Sequence, residues 1–100
     1  MRERVVSIAR STRSGKKYAA TIAGPDGRRV EHFGALGYTQ FKDSTPVRAF
    51  AARDHGDPRR RARYFTRHSG VPGKREALRK ELAASHGRIT PKILSHRYLW

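Results

Sequence analysis

Between Asp54 and Gly70 the chain reads DHGDPRRRARYFTRHSG, and this stretch narrows what the rest can be. Asp57 followed by Pro58 is a helix start: an aspartate side chain accepts from unsatisfied backbone N–H groups, and the N–H that proline lacks is not needed in the first turn. Gly70, after Ser69, supplies the stop. Arg59, Arg60, Arg61, Arg63 and Arg67 crowd the positions between, and only Ala62 and Phe65, with Tyr64 at the border, are left to form an apolar stripe. So narrow a stripe has to be buried by other segments of the chain.

The flanking sequence is suited to that task. Residues 4–34 read as three short antiparallel strands, with Val5, Val6 and Ile8 in the first, Tyr18, Ala20 and Ile22 in the second, and Val30 and Phe33 in the third. Ser14-Gly15 breaks the first pair and Pro25-Asp26-Gly27 the second; proline pre-sets the backbone angle of a turn and glycine tolerates positive φ. Gly34-Ala35-Leu36-Gly37 forms a corner, lacking the spacing and the lysine of a phosphate-binding loop. Tyr38 and Phe41, an aromatic pair three apart, are expected beneath the sheet, with stacking on bases as the alternative, and Val47 to Ala52 reads as a helical turn or an extended connector. Beyond the arginine helix, Lys74 to His86 reads as a helix on the Leu78/Leu82 repeat, with Glu76 placed to pair with Lys80 and Gly87 as its stop. Thr90 and Pro91 open a third helix that carries Ile93, Leu94, Leu99 and Trp100, and so large a terminal side chain is expected to dock.

The expected fold class is therefore α+β: one small domain over residues 1–100, a small three-stranded antiparallel sheet followed by about three short helices. Residues 1–16 are expected as a variable N-terminal strand or arm. Ile22, Val30, Phe33, Phe65, Leu78, Leu82, Leu94 and Trp100 are expected to share the core.

Charge directs the functional reading. Lys and Arg number 23 against 8 Asp and Glu, a formal net charge of +15. A compact chain carrying that excess repels itself unless a polyanion neutralises it, and guanidinium is suited to bidentate phosphate contact. The candidate band comprises Arg28 and Arg29 on the third strand, Arg59, Arg60, Arg61, Arg63 and Arg67 on the helix, and Lys74 and Arg75 beyond. No helix-turn-helix or ribonucleoprotein motif points to base-specific recognition. Asp54, His55, Asp57 and His68 are the one compact group mixing imidazole and carboxylate, but no HExxH or cysteine pair supports a metal site. With no GxSxG elbow either, the chain reads as non-enzymatic, with no cofactor, metal or small-molecule substrate. The absence of cysteine removes disulfides. No apolar run reaches the ~20 residues of a membrane span, and the amino terminus does not read as a secretory signal, so a virion or intracellular location is expected.

Several short stretches together resemble one protein family: Lys17-Tyr18, His32-Phe33-Gly34, Gly37-Tyr38, Asp54-His55-Gly56-Asp57, then Tyr64, Arg67 and His68, and finally Leu94-Ser95-His96 with Tyr98-Leu99-Trp100. Spanning residues 17–100, the set is similar to a small, basic, uncharacterised family of large nucleocytoplasmic DNA viruses of algae and amoebae. That resemblance implies a viral origin and a virion role. The resulting expectation is a sequence-independent nucleic-acid-binding protein that packages or condenses a viral genome through its phosphate backbone. The alternative is a minor capsid component whose arginines bind acidic virion proteins.

Overall fold

A computed structural model describes residues 2–100. It has the α+β order read from the sequence: β1 (Arg4–Arg10), β2 (Lys16–Gly24) and β3 (Gly27–Ala35), then α1 (Pro58–Ser69), α2 (Lys74–Ala84) and α3 (Pro91–Tyr98). The strands form an antiparallel sheet in sequence order. Gly24 pairs with Gly27 across the two-residue turn Pro25-Asp26, and Gly27 adopts φ +108°, a conformation that disfavours residues with a Cβ.

Strand parity decides which side chains meet the helices. Tyr18, Ala20 and Ile22 point inward from β2, opposite Phe33, Glu31 and Arg29 of β3. Val30 lies one step out of phase with Phe33 and is 53% exposed, so it does not belong to the core as expected. In β1 the register shifts between Val5 and Ser7. This bulge lets Val5 and Ile8, an odd number of residues apart, both pack against the core, while Val6 turns out to solvent.

The core joins Tyr18, Ala20, Ile22 and Phe33 of the sheet to Ile89, Ile93, Leu94 and Leu99. Leu78, Leu82 and Trp100 pack on it half-buried. Phe65 is fully buried but lies outside that cluster, edge-on to Tyr64 and His96. Lys80, expected to pair with Glu76, instead donates from Nζ to Ser69 O at 2.8 Å. Among the described residues, no helix is long and apolar enough to cross a membrane.

The segment from Leu36 to Asp57 has little regular structure beyond a 3-10 turn at Ala51–Arg53 and is held by buried polar groups. The Asp43 carboxylate accepts from Tyr18 Oη, from Thr45 N (3.0 Å) and Oγ1 (2.6 Å), and from Phe50 N (3.2 Å). Asp54 Oδ1 accepts from Gln40 Nε2 and Asp43 N, each at 2.7 Å. Gln40 Oε1 in turn accepts from buried Lys17 Nζ. The same segment pairs with the end of α3, where Lys42 N donates to Leu99 O and Ser44 N to Tyr98 O. This polar scaffold leaves Tyr38 71% exposed rather than beneath the sheet. Phe41 is half-buried under the Arg61 guanidinium, 4.6 Å from its ring centre, not under the strands as expected.

Candidate nucleic-acid interface

α1 begins and ends at the residues the sequence nominates. Asp57 Oδ1 accepts from Arg59 N (2.9 Å) and Arg60 N (3.4 Å), Pro58 opens the first turn, and Gly70 closes the helix at φ +76° with its N–H on Thr66 O. With Phe65 turned inward, helical spacing puts Arg60, Arg63, Tyr64 and Arg67 on one flank. That flank is one wall of a groove of about 690 Å³. Lys16, Lys17, Phe33 and Gly34 of the sheet form a second side, the Tyr38-Thr39-Gln40 segment a third, and Lys92, Ser95, Leu99 and Trp100 of the α3 region a fourth. Six Lys and Arg side chains line the groove and no Asp or Glu does, among the described residues.

The floor is aromatic. Tyr64 and Trp100 stack in parallel, with ring centres 4.2 Å apart and planes 4° from parallel. Tyr64 is fixed from behind by His96, whose Nδ1 lies 2.9 Å from the phenol oxygen and whose Nε2 lies 2.8 Å from Ser69 Oγ. Ser69 Oγ donates to Glu81 Oε2 at 2.8 Å, so it accepts from His96 Nε2–H, and His96 Nδ1 accepts the Tyr64 proton. This relay requires a neutral imidazole, and burial holds the His96 pKa down at about 4 despite the opposing pull of Glu81. Burial, with Glu81 adding, pushes the Tyr64 phenol well above its ordinary value. The buried Ser69 hydroxyl is thus occupied on both sides.

Gly34 lines the groove beside the sheet, where the chain packs closely on Leu99. It sits at φ +80°, and a Cβ there would fall 2.9 Å from Leu99 Cδ1. Lys17 lines the groove but is structurally committed. Its Nζ donates to Tyr38 O (2.6 Å) as well as to Gln40, and burial followed by the Arg53 charge keeps its pKa below the usual lysine range. Arg60 donates from Nη2 to Thr39 Oγ1 at 2.9 Å, joining helix wall to loop wall. Lys92 Nζ sits 3.2 Å from His68 O and 3.6 Å from Glu81.

The nine cations nominated from the sequence divide by placement. Arg60, Arg63 and Arg67 come together in the groove. Arg61 covers Phe41, while Arg59 is exposed elsewhere on α1. Arg29 lies on the helix-covered face of the sheet. It binds Glu3 through Nη1 (2.5 Å) and Nη2 (2.9 Å), Glu31 through Nε (2.9 Å), and Ile89 O through Nη2 (2.7 Å). Arg28 is exposed on the opposite face, and Arg75 is exposed on α2. Lys74 donates to Arg97 O at 3.0 Å. Lys16 and Lys92 also line the groove without having been nominated, because each comes from a different part of the chain, and Tyr38, expected beneath the sheet, lines it as well.

The imidazole–carboxylate group near α1 is likewise distributed among structural roles. Asp57 caps the helix, Asp54 faces the buried loop network, and His55 Nδ1 accepts from Asp57 N at 2.9 Å. His68 is exposed at the last turn. Among the described residues, no three His, Cys, Asp or Glu side chains converge in a way that could hold a metal ion.

Comparison with known proteins gives one match. The model of a family of unknown function, DUF5754, matches residues 6–68, from β1 through nearly all of α1. The chain belongs to that family. No curated protein and no solved structure matches it.

Proposed function

With membership of this family as the premise, we propose that the protein is a non-enzymatic, sequence-independent nucleic-acid-binding protein that engages the phosphate backbone through the groove between α1, α3 and the sheet. One observation carries this reading: among the described residues, the groove gathers six Lys and Arg side chains and no Asp or Glu side chain. In a chain of formal net charge +15, this is a site where neutralisation by a polyanion relieves self-repulsion. Arg60, Arg63, Arg67, Lys16 and Lys92 are the phosphate contacts. The resemblance to the viral family extends the proposal to packaging or condensing a viral genome within the virion. A second reading, attachment to acidic virion proteins, draws support from Arg28, Arg59 and Arg75, which are exposed outside the groove.

Binding to random-sequence DNA across a salt series tests the first reading. With five phosphate contacts, log K falls against log salt with a slope near −4.5 for duplex and about −3.5 for a single strand. Replacing Arg60, Arg63 and Arg67 by Gln reduces the duplex slope by about 2.7 while nearly preserving helix propensity. Absence of binding at low salt would transfer the assignment to the acidic-protein reading.

A further inference from the structure

We infer that the groove is built for single-stranded nucleic acid, with Tyr38 as the platform on which a base stacks. This rests on the phosphate-binding reading of the same groove and specifies its ligand.

Tyr38 is 71% exposed, the most exposed of the large hydrophobic side chains among the described residues, yet its backbone is tied down on both sides. Its N–H reaches Ala35 O at 3.4 Å, and its carbonyl accepts from buried Lys17 Nζ at 2.6 Å. The next residue, Thr39, is bonded to Arg60 on the facing helix. An aromatic ring presented to solvent from an anchored turn is already ordered, so stacking a base on it costs little further conformational freedom. Every base has a π-face, so stacking is indifferent to sequence, consistent with the absence of base-reading motifs.

The form of the groove points the same way. Arg60, Arg63 and Arg67 run along one helix flank for about 10 Å. Lys16 and Lys92 face that flank from the sheet and from α3, and the Tyr64–Trp100 stack forms an apolar floor between them. The described residues measure 38 × 29 × 20 Å, and a groove of about 690 Å³ in so small a body cannot enclose a duplex. A rigid duplex meets such a cleft at its rim, whereas a flexible strand can enter with phosphates against the cations and bases toward the rings. Purely ionic binding would instead favour the duplex, whose charge density is higher.

Fluorescence anisotropy with two probes at the same salt concentration tests the inference: a labelled oligothymidylate of about twelve residues, within the range covered by one small domain, and a hairpin duplex with the same number of phosphates. The oligothymidylate is expected to bind about tenfold more tightly than the duplex. Tyr38→Ala should weaken single-strand binding on the order of tenfold, leaving duplex affinity and the salt slope unchanged, and Tyr38→Phe should retain the preference. Circular dichroism checks that both variants are folded, as the exposure of Tyr38 leads one to expect. Equal or tighter duplex binding, or an unaltered single-strand affinity in Tyr38→Ala, overturns the single-strand inference and leaves the phosphate groove standing. Failure to bind either probe at low salt overturns both.

Discussion

Asp43 is a carboxylate with no solvent exposure. Burial alone would raise its pKa, but the bonds donated by Thr45, Tyr18 and Phe50 outweigh that, and the group sits below its ordinary value. Replacing it by alanine leaves the Tyr18 hydroxyl and the Phe50 N–H without their acceptor in the interior. Each stranded donor costs about 1–3 kcal/mol, so Asp43→Ala should lower unfolding stability by about 2–6 kcal/mol in a urea titration. Thr45→Ser, which keeps the hydroxyl, should cost far less. No local pattern in the sequence announces Asp43 and Gln40 as buried, or Asp54 as their partner. Hydrophobic periodicity reports on helices and strands, whereas a loop held by polar contacts leaves no period to read. The same limit hides His96, since its partners Tyr64 and Ser69 lie on another helix.

Elements whose ends are set by local chemistry were the legible ones. Asp57, Pro58 and Gly70 fix α1, Thr90 caps α3 by accepting from Ile93 N at 3.2 Å, and Pro25-Asp26-Gly27 closes the second hairpin. Non-local features were not legible. The phase of β1 depends on its bulge, and the groove draws Lys16, Tyr38, Arg60 and Lys92 from four separate segments. Alternation does place Arg29 in phase with Phe33, so its enclosure was readable from strand parity. At the end of α2, the backbone of His86 has φ +54° and is followed by Gly87 at φ +82°. A left-handed conformation costs a residue with a Cβ roughly 1–2 kcal/mol, and the His86 side chain is exposed. His86→Gly should therefore stabilise the protein by up to about 1 kcal/mol, seen as a melting-temperature increase of a few degrees in calorimetry.

For the molecule as a whole, acid should remove stability in two successive windows. His96 has its pKa at about 4 in the fold against 6.5 when unfolded. Between those values the unfolded chain binds more protons, so stability falls as pH is lowered from about 6.5 to about 4, by roughly 3 kcal/mol in all. His55 shifts the same way, through burial and the nearby Arg60 charge. Glu3 is held at about 2, against 4.5, chiefly by its bonds to Arg29 and with help from Ile89 N–H. Its contribution is complete above pH 4.5 and disappears as pH falls toward 2. Urea titrations from neutral pH downward should show continuous decline across both windows, and NMR titration of the His96 ring should locate the upper one. A plateau between pH 6.5 and 4 would mean that His96 takes up its proton equally in both states. Finally, the bulge in β1 bears on how one copy of the protein meets another. β1 is a border strand of the sheet, and an unbroken ladder there would offer its free N–H and C=O groups to any passing extended chain. The extra residue at Val6 interrupts that template, and Arg4 and Arg10 place like charges at its two ends. The feature that brings Val5 and Ile8 onto one face thereby also blunts this edge against pairing with a second copy.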